Sequence, residues 1–450
     1  MKQILFKLAF GMIILTALWQ GCTSTNQETK PNVILIMADD MGYECLSTYG
    51  SLSYKTPNLD QLAANGIRFE HCISQPLCTP SRVKIMTGLY NYRNYNYFGH
   101  LGLENLTIGN QMKEAGYATC ISGKWQLNGL SYKDQLTDWK DRTRPNQLGF
   151  DEYCLWQLTR ARKEGERYAN PLIERNGELL DRDADAYGPD LFVGFVLDFI
   201  ERNSDQPFFI YYPMVLVHDP FVPTPDSENW PSKDERYQND TACFKEMVAY
   251  TDKIIGRIVS RLEEKGVLEN TILLFTGDNG THPTIYTHTA SGTIRGGKGN
   301  TTDAGTRVPL IAHYPDGKQK GVVYEGLIEF SDFYPTLAEV AGTPVGAKEK
   351  EGVHMDGRSF FPVLTGSSHI PRETVFVHYD PQWSKNVNRF RNQFVRTKEY
   401  KLYSDGRFYD LSNDVLEQKP LYADSLSTTE SVVYQLLYRE LEKHPEFLFE

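Results

Sequence analysis

Two stretches far apart in the chain share one pattern, and together they restrict what it can fold into. Residues 31–42 read PNVILIMADDMG: a polar start, an unbroken apolar run, then the paired acids Asp39 and Asp40. Residues 270–280, NTILLFTGDNG, repeat it and end in Asp278 and Asn279. A strand with one face in water alternates apolar and polar side chains. An unbroken run therefore predicts a strand buried on both faces, as in a parallel sheet covered by helices. Ligand chemistry in such sheets gathers beyond the C-terminal strand ends, where both acidic pairs fall. A third run, QPFFIYYPMVLVHDPF (206–221), predicts a buried strand ending in His218 and Asp219.

Helical patterns lie between these runs, over 56–67, 106–117 and 243–267. Strands alternating with helices predict an α/β fold, a mainly parallel central sheet sandwiched by helices. Near residue 352 the texture changes. Residues 392–411 are short aromatic-rich runs broken by turn residues such as Ser404-Asp405-Gly406, and about 427–443 reads as helix. This predicts a small C-terminal α+β subdomain with an antiparallel sheet over 352–450, after a catalytic domain over 31–351. A chain of 450 residues, 40% apolar, has the material for both.

The first 22 residues carry Lys2 and Lys7 around an apolar run too short to span a bilayer as mature structure, which reads as an export signal. It closes on Gly21-Cys22 before a polar tether, 23–30, and resembles a bacterial lipoprotein signal whose cysteine is lipidated after cleavage. Trp19 stands where a leucine is usual, and plain secretion is the alternative. The expected location is the periplasm or cell surface, held to the outer membrane through lipid alone. A net charge of −11 argues against a nucleic-acid or acidic-lipid binder, so an anionic substrate would need positive charge concentrated in a pocket. The seven cysteines show no compact spacing and imply no disulfide framework.

Asp39, Asp40, Asp278 and Asn279 offer oxygen donors only, the preference of a hard cation such as calcium or magnesium rather than zinc. Cys78-Thr79-Pro80-Ser81-Arg82 places a thiol beside a cation and a predicted helix start, the setting of a reactive rather than a structural cysteine. Lysines are ordinarily solvated. Lys124, in SGKWQL, and Lys298, in the glycine-rich RGGKGNTTDAGTRVP (295–309), stand out by their surroundings, since glycine lets backbone approach a ligand closely.

With CTPSRVKIMTG at 78–88 and ADDMG, GKW, GDNG and GGKG in this order, the chain is similar to the type I sulfatases of the alkaline-phosphatase-like superfamily, from about Pro31 to Leu411. The resemblance implies that a maturase oxidises Cys78 to formylglycine (3-oxoalanine), an aldehyde whose hydrate attacks the sulfate ester. It implies that Asp39, Asp40, Asp278, Asn279 and the modified Cys78 hold calcium, with magnesium the second choice. Arg82 would support the hydrate, while Lys124, His218 and Lys298 grip the ester. The implied activity is hydrolysis of sulfate esters on a sulfated carbohydrate, such as the algal polysaccharides ulvan, carrageenan or fucoidan, or a host glycan.

One position departs from the family pattern: Gln126 stands where a histidine is common, and an amide exchanges no proton near neutral pH. His282 is the candidate to compensate. Substrate specificity is expected in two loops, 126–170 with Arg142, Arg144, Arg160 and Arg162, and 377–392 with His378, Trp383, Arg389 and Arg391. A cysteine-dependent phosphatase needs a longer spacing than the three residues Thr79 to Ser81 before its arginine. Two other readings stand beside the sulfatase: a metal-dependent phosphoesterase of the same superfamily, and a non-catalytic glycan-binding lipoprotein.

Overall fold

Residues 30–314, 319–343 and 354–449 are described by the computed structural model. The export signal, Cys22 and the tether to residue 29 lie outside them, as does the expected domain boundary at 351–352. Among the described residues the strands of the main sheet are β1 (Asn32–Ala38), β2 (Ile67–Ile73), β3 (Ala118–Lys124), β4 (Glu152–Trp156), β5 (Glu174–Arg175), β6 (Glu178–Leu179), β7 (Phe208–Pro213) and β8 (Thr271–Gly277). After a separate hairpin, β9 (Tyr286–Thr289) with β10 (Gly292–Arg295), come β11 (Arg307–His313) and β12 (Val322–Glu329), which complete it. The order across the sheet is β12-β2-β11-β8-β1-β7-β3-β4-β5-β6. β8, β1, β7, β3 and β4 run parallel, whereas β11 is antiparallel to both of its neighbours.

The unbroken apolar run of β1 is explained by two cores. Val33, Leu35 and Met37 enter one, and Ile34, Ile36 and Ala38 enter the other. The first core is closed by helices α2 (Cys78–Thr87), α3 (Ile108–Glu114) and α6 (Phe333–Val340). The second is closed by α1 (Pro57–Ala64), α4 (Gly188–Arg202) and α5 (Phe244–Glu264). This is the expected three-layer α/β sandwich.

The predicted antiparallel sheet is also present, as β13 (Val375–Tyr379), β14 (Asn392–Arg396), β15 (Tyr400–Tyr403) and β16 (Phe408–Asp410), in that order. Leu437 of helix α7 (Thr428–Leu441) packs with Val395 and Leu402 on one of its faces. The described residues from Pro31 onward form one compact unit. Buried polar contacts bind the small sheet to the loop carrying Lys298: Arg396 pairs with Asp303, and the Tyr403 hydroxyl meets Thr301 Oγ1 at 2.9 Å.

The third run differs in detail. β7 stops at Pro213, which lacks an N–H to continue the ladder, so His218 lies in the loop beyond it rather than at the strand end. All six described cysteines are buried free thiols.

Candidate active site

Parallel pairing of β1 with β8 sets Ala38 against Gly277, so the two acidic pairs that follow emerge side by side. Gly277 makes this possible: a Cβ there would lie 2.0 Å from the Met41 carbonyl oxygen. The Asp40 N–H donates to Asp278 Oδ1 at 3.0 Å, and Asn279 Nδ2 donates to Asp40 Oδ1 at 2.9 Å. Asp40 holds a φ of 60°, a left-handed conformation that costs a non-glycine residue energy and recurs where side chains are aimed for function.

Cys78 begins α2, directly after Leu77 in extended conformation. Ser81 closes this turn by accepting from the Gln75 N–H at 3.0 Å and donating to the Gln75 carbonyl at 3.2 Å. Four residues along, and so on the same helix face, Arg82 donates to Asp278 Oδ2 at 3.0 Å and to the Lys124 carbonyl at 3.1 Å. Lys124, the last residue of β3, places Nζ 2.9 and 2.8 Å from the two oxygens of Asp39. Lys298 reaches Asp40 Oδ2 at 2.5 Å and His218 Nε2 at 3.0 Å. Its loop turns tightly at Gly297, where a Cβ would fall 2.5 Å from the Ala304 carbonyl carbon.

The electrostatics follow from burial. Asp39 is fully buried, which would raise its carboxyl, yet the cations Lys124, Arg82 and Arg167 hold it well below the usual range. Burial and the neighbouring Asp39 charge push Asp278 the other way, up. His218 is pushed down to about 4 by burial. It is therefore neutral, with Nδ1 2.9 Å from Asp219 Oδ1 and Nε2 free to accept from Lys298. Burial also raises the Cys78 thiol, so the cysteine as encoded is a poor thiolate.

The residues fit a divalent cation. Ligand atoms of Asp39, Asp278 and Cys78 lie within 4.8 Å of one another, and Asn279 Oδ1 is buried with no hydrogen-bond partner. Three fully buried carboxylates plus an orphaned amide oxygen make an oxygen-rich cradle for a hard ion. The other metal-capable grouping among the described residues, Asp39 with Asp40 and His218, shares Asp39 with the first. It is not the independent second site that a two-metal phosphoesterase needs.

The structure brings together every residue named for the centre: Asp39, Asp40, Cys78, Arg82, Lys124, His218, Asp278, Asn279 and Lys298. Gln126 belongs with them, since the Cys78 thiol points at its Oε1 at 3.5 Å and its backbone is strained at φ 54°. His282 does not. Its ring bonds Thr284 Oγ1 at 2.8 Å and packs on Phe221.

Sequence reasoning missed Arg167, whose Nη1 lies 3.4 Å from Asp39 Oδ2. Its only sequence signal is a basic residue shortly after the strand ending in Trp156. Of the residues expected in the specificity loops, Arg144 is buried against Asp138 and the Leu101 carbonyl, and Arg142 pairs with Glu174 at 2.9 Å. His378 bonds Gln393 at 2.9 Å and packs on Phe447, and Arg391 pairs with Asp380 at 2.7 Å. These four hold the fold. Arg160 pairs locally with Glu164 at 3.2 Å, and Arg162 stands 3.7 Å from Asp219.

The segment from 381 does border the site. Trp383 stacks on Phe98 with ring centres 4.3 Å apart, and Val387 abuts Gly299 beside Lys298. Arg389 lines a cleft of about 540 Å³ with Tyr403, Asp405 and Arg407.

Comparison with known proteins gives the same family as the motifs. The Sulfatase family model matches residues 31–343, and that of the N-sulphoglucosamine sulphohydrolase C-terminal family matches residues 298–445. Arylsulfatase A of Homo sapiens is 31% identical over 408 residues, 83% of this chain and 74% of the human protein. An N-acetylgalactosamine-6-O-sulfatase of Bacteroides thetaiotaomicron is 28% identical over 451 residues, 83% of this chain and 85% of its own. Among solved structures, Ps i-CgsB in complex with k-i-k-neocarrahexaose superposes with a TM-score of 0.72 at 24% identity, covering 92% of both chains. The chain belongs to the sulfatase family and is a sulfuric ester hydrolase.

Proposed function

We propose that the protein removes sulfate from a sulfated carbohydrate, using formylglycine made from Cys78 by a maturase and a calcium ion held by Asp39, Asp40, Asp278, Asn279 and the modified residue. The observation that carries this reading is Cys78 at the start of α2, facing Gln126, within one cluster of three carboxylates and the cations Arg82, Lys124 and Lys298. The carbohydrate is suggested by the relatives that act on or bind sugars.

When present, the hydrated aldehyde supplies a nucleophilic oxygen and a second hydroxyl for releasing sulfate, and the cation draws charge from the sulfuryl oxygens. The chain's own groups do the rest. Arg82 spans Asp278 and the Lys124 carbonyl, fixing α2 against β3 and β8. Lys124 and Lys298 present ammonium groups to the sulfuryl oxygens. A proton shared between Lys298 Nζ and His218 Nε2, 3.0 Å apart, stands ready for the departing alcohol oxygen. Gln126 orients the group at position 78 by hydrogen bonding and transfers no proton. Export and anchoring through Cys22 belong to the same proposal, on the pattern of the first 30 residues.

The test is the mass of the peptide containing Cys78 after co-expression with a maturase. The aldehyde is expected, and an unmodified thiol under those conditions would sink the mechanism.

A further inference from the structure

Arg167 remains outside the roles given so far. It lies in the irregular segment between β4 and β5, is only 2% exposed, and stacks its guanidinium 4.1 Å from the centre of the Trp156 ring. A guanidinium carries five N–H donors. Here it makes one hydrogen bond, the 3.4 Å contact from Nη1 to Asp39 Oδ2, while Nε is buried with no partner. For Asp39 that contact is the minor one, because Lys124 meets both of its oxygens at 2.9 and 2.8 Å.

Burying a guanidinium is costly unless its donors are met. One held rigidly in the wall of an anion site with donors unspent is better explained by a ligand than by the fold. The Trp156 ring fixes the plane of the fork and keeps water from one face. The adjoining Tyr168 hydroxyl shares its one proton between the His218 carbonyl at 2.5 Å and the Val215 carbonyl at 2.8 Å, tying the Arg167 segment to the loop that carries His218. Arg167 thus stands where an anion bound between Lys124 and His218 would meet it.

We infer that Arg167 contacts substrate directly, donating to a sulfuryl oxygen of the ester alongside Lys124, His218 and Lys298. The inference rests on the sulfatase reading, and its test separates the two. Inorganic sulfate binding is measured by calorimetry on the resting matured protein, and turnover of a small aryl sulfate is measured separately.

Arg167→Gln is expected to bind sulfate about tenfold more weakly and to lose about 10²-fold in kcat/KM, with Tm little changed. Arg167→Lys should recover part of the binding, since it keeps the charge but loses the planar fork. Sulfate binding equal to wild type in Arg167→Gln, whatever its Tm, overturns the role. If Arg167→Gln does not fold, Arg167→Lys decides: sulfate binding about threefold weaker than wild type supports the contact, and equal binding overturns it. A wild-type protein without sulfatase turnover would defeat the functional reading, while the binding comparison would still decide the role of Arg167.

Discussion

At the floor of the site Asp39, Asp40, Asp278 and Asn279 are fully buried, and each charged group is held by partners from distant parts of the chain. At the rim, Trp383 is 52% exposed and the Arg389 guanidinium lies against Phe390, 4.5 Å from the ring centre. The floor is over-determined: removing one member leaves buried charges uncompensated, so its geometry is fixed before substrate arrives. The rim is loosely constrained, and its side chains can differ between chains without disturbing the chemistry. Catalytic class therefore resides in the floor, and we propose that choice of carbohydrate resides in the rim.

Substitutions can break this contrast, and the largest effect belongs to the floor. Cys78→Ala should lower kcat/KM by about 10⁴-fold or more on every sulfate ester, small or large, with an unchanged Tm. Lys298→Ala should cost about 10²- to 10³-fold, again independent of the alcohol, because it removes one cation from the developing charge. An effect of Lys298→Ala on one sugar alone would blur the division between floor and rim.

Arg144→Ala probes a residue whose sequence suggested substrate and whose environment is structural. It should destabilise the fold by about 1–3 kcal/mol in denaturant unfolding and leave KM unaltered, since Asp138 and the Leu101 carbonyl lose their donor. The smallest effects are expected at the rim. Trp383→Ala and Arg389→Ala should leave a small aryl sulfate unaffected and weaken a preferred oligosaccharide by about 1 kcal/mol each in kcat/KM. Unaltered values on every saccharide tried would remove the 381–391 segment from substrate recognition.

How much of this the sequence disclosed follows the same division. The floor was legible because its ligands are neighbours of neighbours: Asp39-Asp40 and Asp278-Asn279 each follow an apolar run, and parallel pairing aligns the two runs. Arg82 was legible because it lies one helical turn from Cys78. His218 was placed at a strand end that Pro213 forecloses, and the loop delivers it to the site all the same. Arg167 was not legible, for it comes from an irregular segment 128 residues from its partner Asp39, and no periodicity predicts such a contact. Arg144 was misread because charge alone does not distinguish a surface arginine from one whose acid, Asp138, lies six residues upstream.

Sulfate release is the activity on which every role assigned to the floor depends. Matured protein incubated with a panel of defined sulfated oligosaccharides should liberate inorganic sulfate from at least one of them, with calcium present and with Cys78→Ala silent in parallel. Release undiminished in Cys78→Ala, or none from any sulfate ester by protein whose Cys78 has been oxidised, would contradict it.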